Sequence, residues 1–150
     1  REVYGLALSP DGGLLALGLQ DGDVDVWDTL QAEKVLQLSG HAGLVFRLAF
    51  SQDGDRLASA GFDGFAKVWD VNNRQELFTL YGNTSNVFGV AFSPDGAYLA
   101  TAGADGTVRT FALRMDDLIA LAKDRLTRGL TDDECRQYLH LARCPVEPQS

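Results

Sequence analysis

One spacing constrains this chain more than anything else in it. An Asp-Gly pair stands at Asp11-Gly12, Asp53-Gly54 and Asp95-Gly96, and a second at Asp21-Gly22, Asp63-Gly64 and Asp105-Gly106, so each recurs every 42 residues. Six residues beyond each second Asp comes an aromatic: Trp27, Trp69 and Phe111. Three markers in one register mean that a single supersecondary unit is written three times, at about 1–39, 40–81 and 82–114. Such a unit cannot bury its apolar face alone, so the copies must stack.

In the middle copy, four short runs alternate with these turns at strand spacing: Val45 to Phe50, Arg56 to Ala60, Phe65 to Trp69 and Glu76 to Leu80. Ser51-Gln52-Asp53-Gly54 and Asp63-Gly64 supply the glycines that tight hairpins want at positive φ. The first two runs are apolar on nearly both faces, which predicts sheets covered on both sides. Ala16, Ala58 and Ala100 would let neighbouring sheets approach closely. A helical reading fails on the closely spaced breakers. Copy one has its fourth run at Lys34 to Leu38, whereas after Thr107 to Ala112 copy three has none.

Four-stranded repeats of about 40 to 45 residues point to propeller blades. With Gly40-His41 at the front of the middle copy and Trp69-Asp70 at its back, the unit resembles the WD repeat across residues 1–114. The expected fold is all-β, a partial β-propeller of about three blades, the last lacking its outer strand. Propellers close with about 4 to 8 blades, so the chain is expected to be a fragment whose partners include upstream blades of the same chain. The resemblance implies that the missing strand comes from the other end of the ring. Blades one and three would each expose an apolar face, so the isolated chain is expected to self-associate.

The resemblance also implies a structural tetrad of His41, Ser59, Asp63 and Trp69, whose bonds would satisfy four buried polar groups together. Copy one keeps Asp21 and Trp27 but has Leu17 at the hydroxyl position, and copy three has Asn83, Thr101, Asp105 and Phe111; these are partial tetrads. Taken without the family, a His, Ser and Asp set suggests a hydrolase triad, but the sequence offers neither an exposed nucleophile nor an oxyanion hole.

Charge narrows the remaining options. With 13 Lys and Arg against 21 Asp and Glu the net charge is −8, which disfavours nucleic acid as a partner. No apolar run nears the roughly 20 residues of a membrane span, so no membrane is implied, and a cytoplasmic location is the expectation. The cluster Asp21, Asp23, Asp25 and Asp28 begins like a calcium loop, but Val26 and Ala32 stand where Gly and Glu are needed. Cys135, His140 and Cys144 would be three zinc ligands without a fourth, and no cofactor or metal is expected.

Residues 115–145 read as a tail of two helices. Met115, Leu118, Ile119, Ala122 and Leu126 form a helical stripe, and Thr131-Asp132-Asp133-Glu134 forms a capping box before a second one; residues 146–150 read as a disordered end. The wording from Asp117 to Pro145 is similar to the C-terminal ending of bacterial WD-repeat signalling proteins, many carrying a STAND-type NTPase or a kinase upstream. The resulting expectation is a non-enzymatic protein-interaction scaffold, the C-terminal sensor or docking portion of such a protein. Its rivals are a propeller enzyme or metal-dependent lyase or hydrolase using the acidic cluster, and a purely structural arc. The expected partners are other proteins, bound at the rim carrying Phe62, Leu44, Asn86, Gln20 and Glu2; Phe62 is an aromatic that the blade plan does not require, and aromatics are enriched among interface hot spots.

Overall fold

The computed structural model describes residues 1–114, so the helical tail, the terminal segment and the Cys135, His140 and Cys144 set lie outside the described residues. The described chain is all β, in eleven strands. The first blade is β1 (Val3–Leu8), β2 (Leu14–Leu19), β3 (Asp23–Asp28) and β4 (Glu33–Ser39). The second is β5 (Val45–Phe50), β6 (Arg56–Gly61), β7 (Ala66–Asp70) and β8 (Gln75–Leu80). The third is β9 (Val87–Phe92), β10 (Tyr98–Gly103) and β11 (Val108–Ala112). Each sheet is an antiparallel meander in chain order, and among the described residues the third has three strands. Relative to the sequence reading, β7 begins one residue later, because Phe65 belongs to the turn and gives its N–H to Asp63 Oδ1.

Hairpin chemistry repeats with the period. In the first turn of each blade a Ser hydroxyl donates to the Asp two residues on, at 2.6 Å from Ser9 to Asp11 and from Ser93 to Asp95, with Ser51 and Asp53 paired likewise. The same oxygen accepts the backbone N–H of Leu14, Arg56 or Tyr98, which locks the following strand in place. In the second turn Gly22, Gly64 and Gly106 hold φ of 93°, 84° and 76°, the left-handed region that disfavours side chains.

The core lies between blades rather than within them. Ala16, Val24 and Val26 of blade one meet Val45, Leu48, Leu57 and Trp69 of blade two. The other face of blade two, through Ala58, Ala60, Ala66 and Val68, meets Val87, Leu99 and Phe111 of blade three. Blade two is therefore covered on both sides, and its β6 is buried from Leu57 to Gly61. The innermost strands β1, β5 and β9 pack side by side at what would be the propeller axis.

Each innermost pair breaks register once, at the same place. Val45 faces Gly61 and Arg47 faces Ala60, so Phe46 is an extra residue; Tyr4 and Phe88 are the extra residues of blades one and three. These are β-bulges, which re-aim the inserted side chain.

Candidate functional site

Two features merit description: a polar network inside blade two and an aromatic group on the rim above it. His41 leaves the loop between β4 and β5, Ser59 lies on β6, Asp63 in the turn after β6, and Trp69 on β7. The structure brings all four together. His41 Nδ1 is 2.9 Å from Asp63 Oδ2 and its Nε2 is 2.7 Å from Ser59 Oγ, while Trp69 Nε1 donates to Ser59 Oγ at 2.8 Å. Since the indole can only donate, the serine proton is free to go to Nε2, which leaves Nδ1–H for the carboxylate; this tautomer follows from the network. Asp63 also accepts the backbone N–H of Ala42 and Phe65. Burial works to raise its pKa, but the hydrogen bond from His41 and these two N–H groups outweigh it, so the carboxyl sits below its ordinary value.

The order Asp63, His41, Ser59 is that of a hydrolytic triad, and its geometry does not support that chemistry. Ser59 is 0% exposed and its oxygen already receives an indole N–H, so no acyl group can reach it. What the network does is join the loop before β5 to the turn after β6 and to β7.

Gly61 was not singled out from the sequence, and it makes the network possible. A Cβ there would stand 2.4 Å from His41 Nδ1 and 2.6 Å from Asp63 Oδ1. Blade three has Gly103 at the same position, where a Cβ would stand 2.6 Å from Asp105 Oδ1. Blade one has Leu19, buried, and its Asp21 is turned to Arg1, 2.9 Å away. With Leu17 in the place of a hydroxyl, Trp27 Nε1 is buried without a partner among the described residues.

Blade three keeps the joint but changes its members. Asn83 and Thr101 come within 3.4 Å. Asp105 is bound instead by the N–H of Thr84 at 2.9 Å and the hydroxyl and N–H of Thr107, and these bonds hold its pKa well below the carboxylate range. Phe111 replaces the indole and is fully buried.

The rim residues form three equivalent pairs. The N–H of Gln20, Phe62 and Ala104 donates to the carbonyl of Glu2, Leu44 and Asn86, at 3.1, 2.8 and 2.8 Å. Only the middle pair carries two large apolar side chains. Phe62 is 54% exposed and its ring lies 5.8 Å from that of Phe46, which in turn meets Phe88 edge-on at 5.1 Å. The bulges thus set Phe46 beside Phe62 and Phe88 beside Phe46, and Tyr4, from the bulge of blade one, is also about half exposed. Sequence reasoning missed this group, although Tyr4, Phe46 and Phe88 stand at the repeat spacing.

The acidic cluster is committed to protein groups. Arg1 reaches Asp21, Asp23 and Asp25 at 2.9, 2.8 and 3.8 Å, and Lys34 reaches Asp25 at 3.4 Å. Asp28 caps the turn through the N–H groups of Leu30 and Gln31.

Sheets meeting through their faces around a common inner edge define a partial β-propeller. The family model described as WD domain, G-beta repeat (WD40) matches residues 1–28, 32–70 and 74–111, and the chain belongs to the WD-repeat family. No curated protein matches the chain. WD repeats generally mediate protein–protein interaction, and domains built from them are typically non-enzymatic scaffolds.

Proposed function

We propose that the chain is a docking scaffold whose partners engage the rim around Phe62, with Leu44, Asn86, Gln20 and Glu2 at its edges. The observation that carries this reading is the group Phe46, Phe62 and Phe88, three phenyl rings on one rim, two of them about half exposed. Clustered aromatics that packing does not require are the usual anchors of an interface. The tetrad of blade two acts structurally beneath them, since Asp63 follows Phe62 directly and His41 precedes Leu44 by three residues. In the wider setting the chain is the sensor or docking portion of a larger bacterial signalling protein working in the cytoplasm, a reading supported by the wording of residues 117–145.

The test compares Phe62→Ala and Leu44→Ala with Leu30→Ala, which removes a 92% exposed side chain in the β3–β4 turn. Crosslinked partners of the complete protein are counted beside a thermal melt. Loss of partners in the first two variants alone, with melting unchanged, supports the rim; retained partners, or stability lost together with binding, overturns it.

A further inference from the structure

The bulges display more than aromatics, because each sets two consecutive residues where the ladder slips. The pairs are Tyr4-Gly5, Phe46-Arg47 and Phe88-Gly89, at the repeat spacing. In an ordinary strand neighbours point to opposite faces, so one of the two would be turned into the core; the inserted residue interrupts that alternation. Burial along β5 shows the result: Val45 and Leu48 are buried, while Phe46 between them is partly exposed and Arg47 is exposed.

Packing does not ask for an arginine at this position. In blade one a Cβ on Gly5 would stand 2.8 Å from the Phe46 carbonyl oxygen, so glycine is required there, and blade three has Gly89. Arg47 faces Ala60 across the ladder, two residues before Phe62, which puts its backbone about 7 Å along the strand from that of Phe62. None of the ion pairs, hydrogen bonds or ring contacts among the described residues involves the Arg47 side chain. The other charges of the rim are engaged. Arg1 is shared among Asp21, Asp23 and Asp25, Asp63 is held by His41 and two backbone N–H groups, Asp105 by Thr84 and Thr107, and Glu2 accepts the Tyr4 hydroxyl. Beside the phenyl rings stands an unanswered cation.

We propose that the rim of blade two selects an acidic segment of its protein partner: a short stretch whose large apolar side chain seats on Phe46, Phe62 and Phe88 while an Asp or Glu within two residues of it pairs with Arg47. This rests on the rim being the docking surface and adds the chemistry of what docks there. The rings provide affinity and accept many apolar groups; the cation provides selection, because a Lys or Arg in the carboxylate's place would meet Arg47 at close range. A guanidinium suits the task, since its fork of donors matches a carboxylate. The net charge of −8 does not oppose this, because salt screens charges lying beyond about 8 Å and the adjacent cation decides the preference.

The probe is a random heptapeptide library displayed on phage, selected in physiological salt against the immobilised 150-residue chain and its Phe62→Ala and Arg47→Glu variants. On the parent, peptides with Asp or Glu within two residues of a large apolar side chain are expected to be enriched about threefold over those with Lys or Arg there, the scale of one exposed ion pair. Phe62→Ala is expected to abolish the enrichment, and Arg47→Glu to turn it toward Lys and Arg. Should Arg47→Glu lose the far-UV circular dichroism of the parent, Arg47→Gln replaces it, and the preference for either sign is then expected to vanish. Two failures are distinct. Peptides recovered equally by the parent and by Phe62→Ala overturn the docking reading and this inference with it. Recovery that depends on Phe62 but shows no acidic preference, or a preference that the Arg47 variant leaves unchanged, overturns this inference alone.

Discussion

Exchanging Trp for Phe should have unequal consequences in blades one and two. In blade two, Trp69→Phe removes the indole N–H that Ser59 Oγ accepts at 2.8 Å inside a site with no solvent access. Leaving a buried hydroxyl short of one partner costs about 1 to 3 kcal/mol, and the smaller ring adds roughly 1 kcal/mol of lost packing. In blade one, Trp27 Nε1 is buried and has no hydrogen-bond partner among the described residues. Trp27→Phe sheds an unsatisfied donor worth about 1 to 3 kcal/mol, which offsets the same packing loss. The two variants should therefore differ by about 2 kcal/mol or more, with Trp27→Phe near neutral, and Phe111 shows that a blade of this chain accepts the smaller ring. Urea denaturation followed by far-UV circular dichroism measures the difference without relying on tryptophan emission. Equal losses, or a larger loss for Trp27→Phe, would refute the assignment of distinct environments to the two indoles.

Gly61→Ala should destabilise by about 1 to 3 kcal/mol in the same assay, because the new methyl meets His41 and Asp63; an unchanged midpoint would show that the pair can move aside. Acid should weaken the fold. Asp63, Glu76 and the turn residues Asp11, Asp53 and Asp95 have lowered pKa values when folded, so the unfolded chain binds more protons as pH falls below about 4 to 5. Their contribution is present above the unfolded values and lost as pH drops through the folded ones; Asp63→Asn should flatten the denaturation midpoint against pH, and an unaltered profile would contradict this. The 150-residue chain should self-associate and bind a hydrophobic dye, with Leu6→Lys and Leu8→Lys reducing both, because Leu6 and Leu8 of β1 are 68% and 57% exposed; a dye-silent monomer by light scattering would count against it.

The strands were legible because hairpin chemistry is local: Asp-Gly turns at fixed intervals determine where each run must reverse, and eleven strands follow. What stayed hidden depends on contacts across blades. Leu19 against Gly61 and Gly103 reads as ordinary variation until the imidazole is seen to need the space. The bulges escaped notice because one inserted residue leaves composition and period intact, and only pairing with β2, β6 and β10 shows the slip.

The bulges have a consequence for how this protein can diversify. An ordinary strand residue is bound by alternation, so its identity is tied to the face it covers. Tyr4, Phe46 and Phe88 are exempt, since each is the residue left over where the ladder slips and pairing resumes on either side. Exchange at these positions alters what the rim displays while the inter-blade packing residues Val45 and Leu48 keep their places. The fold thus separates residues that specify its architecture from residues that the rim displays, and under the proposed docking role the second set can change without disturbing the first.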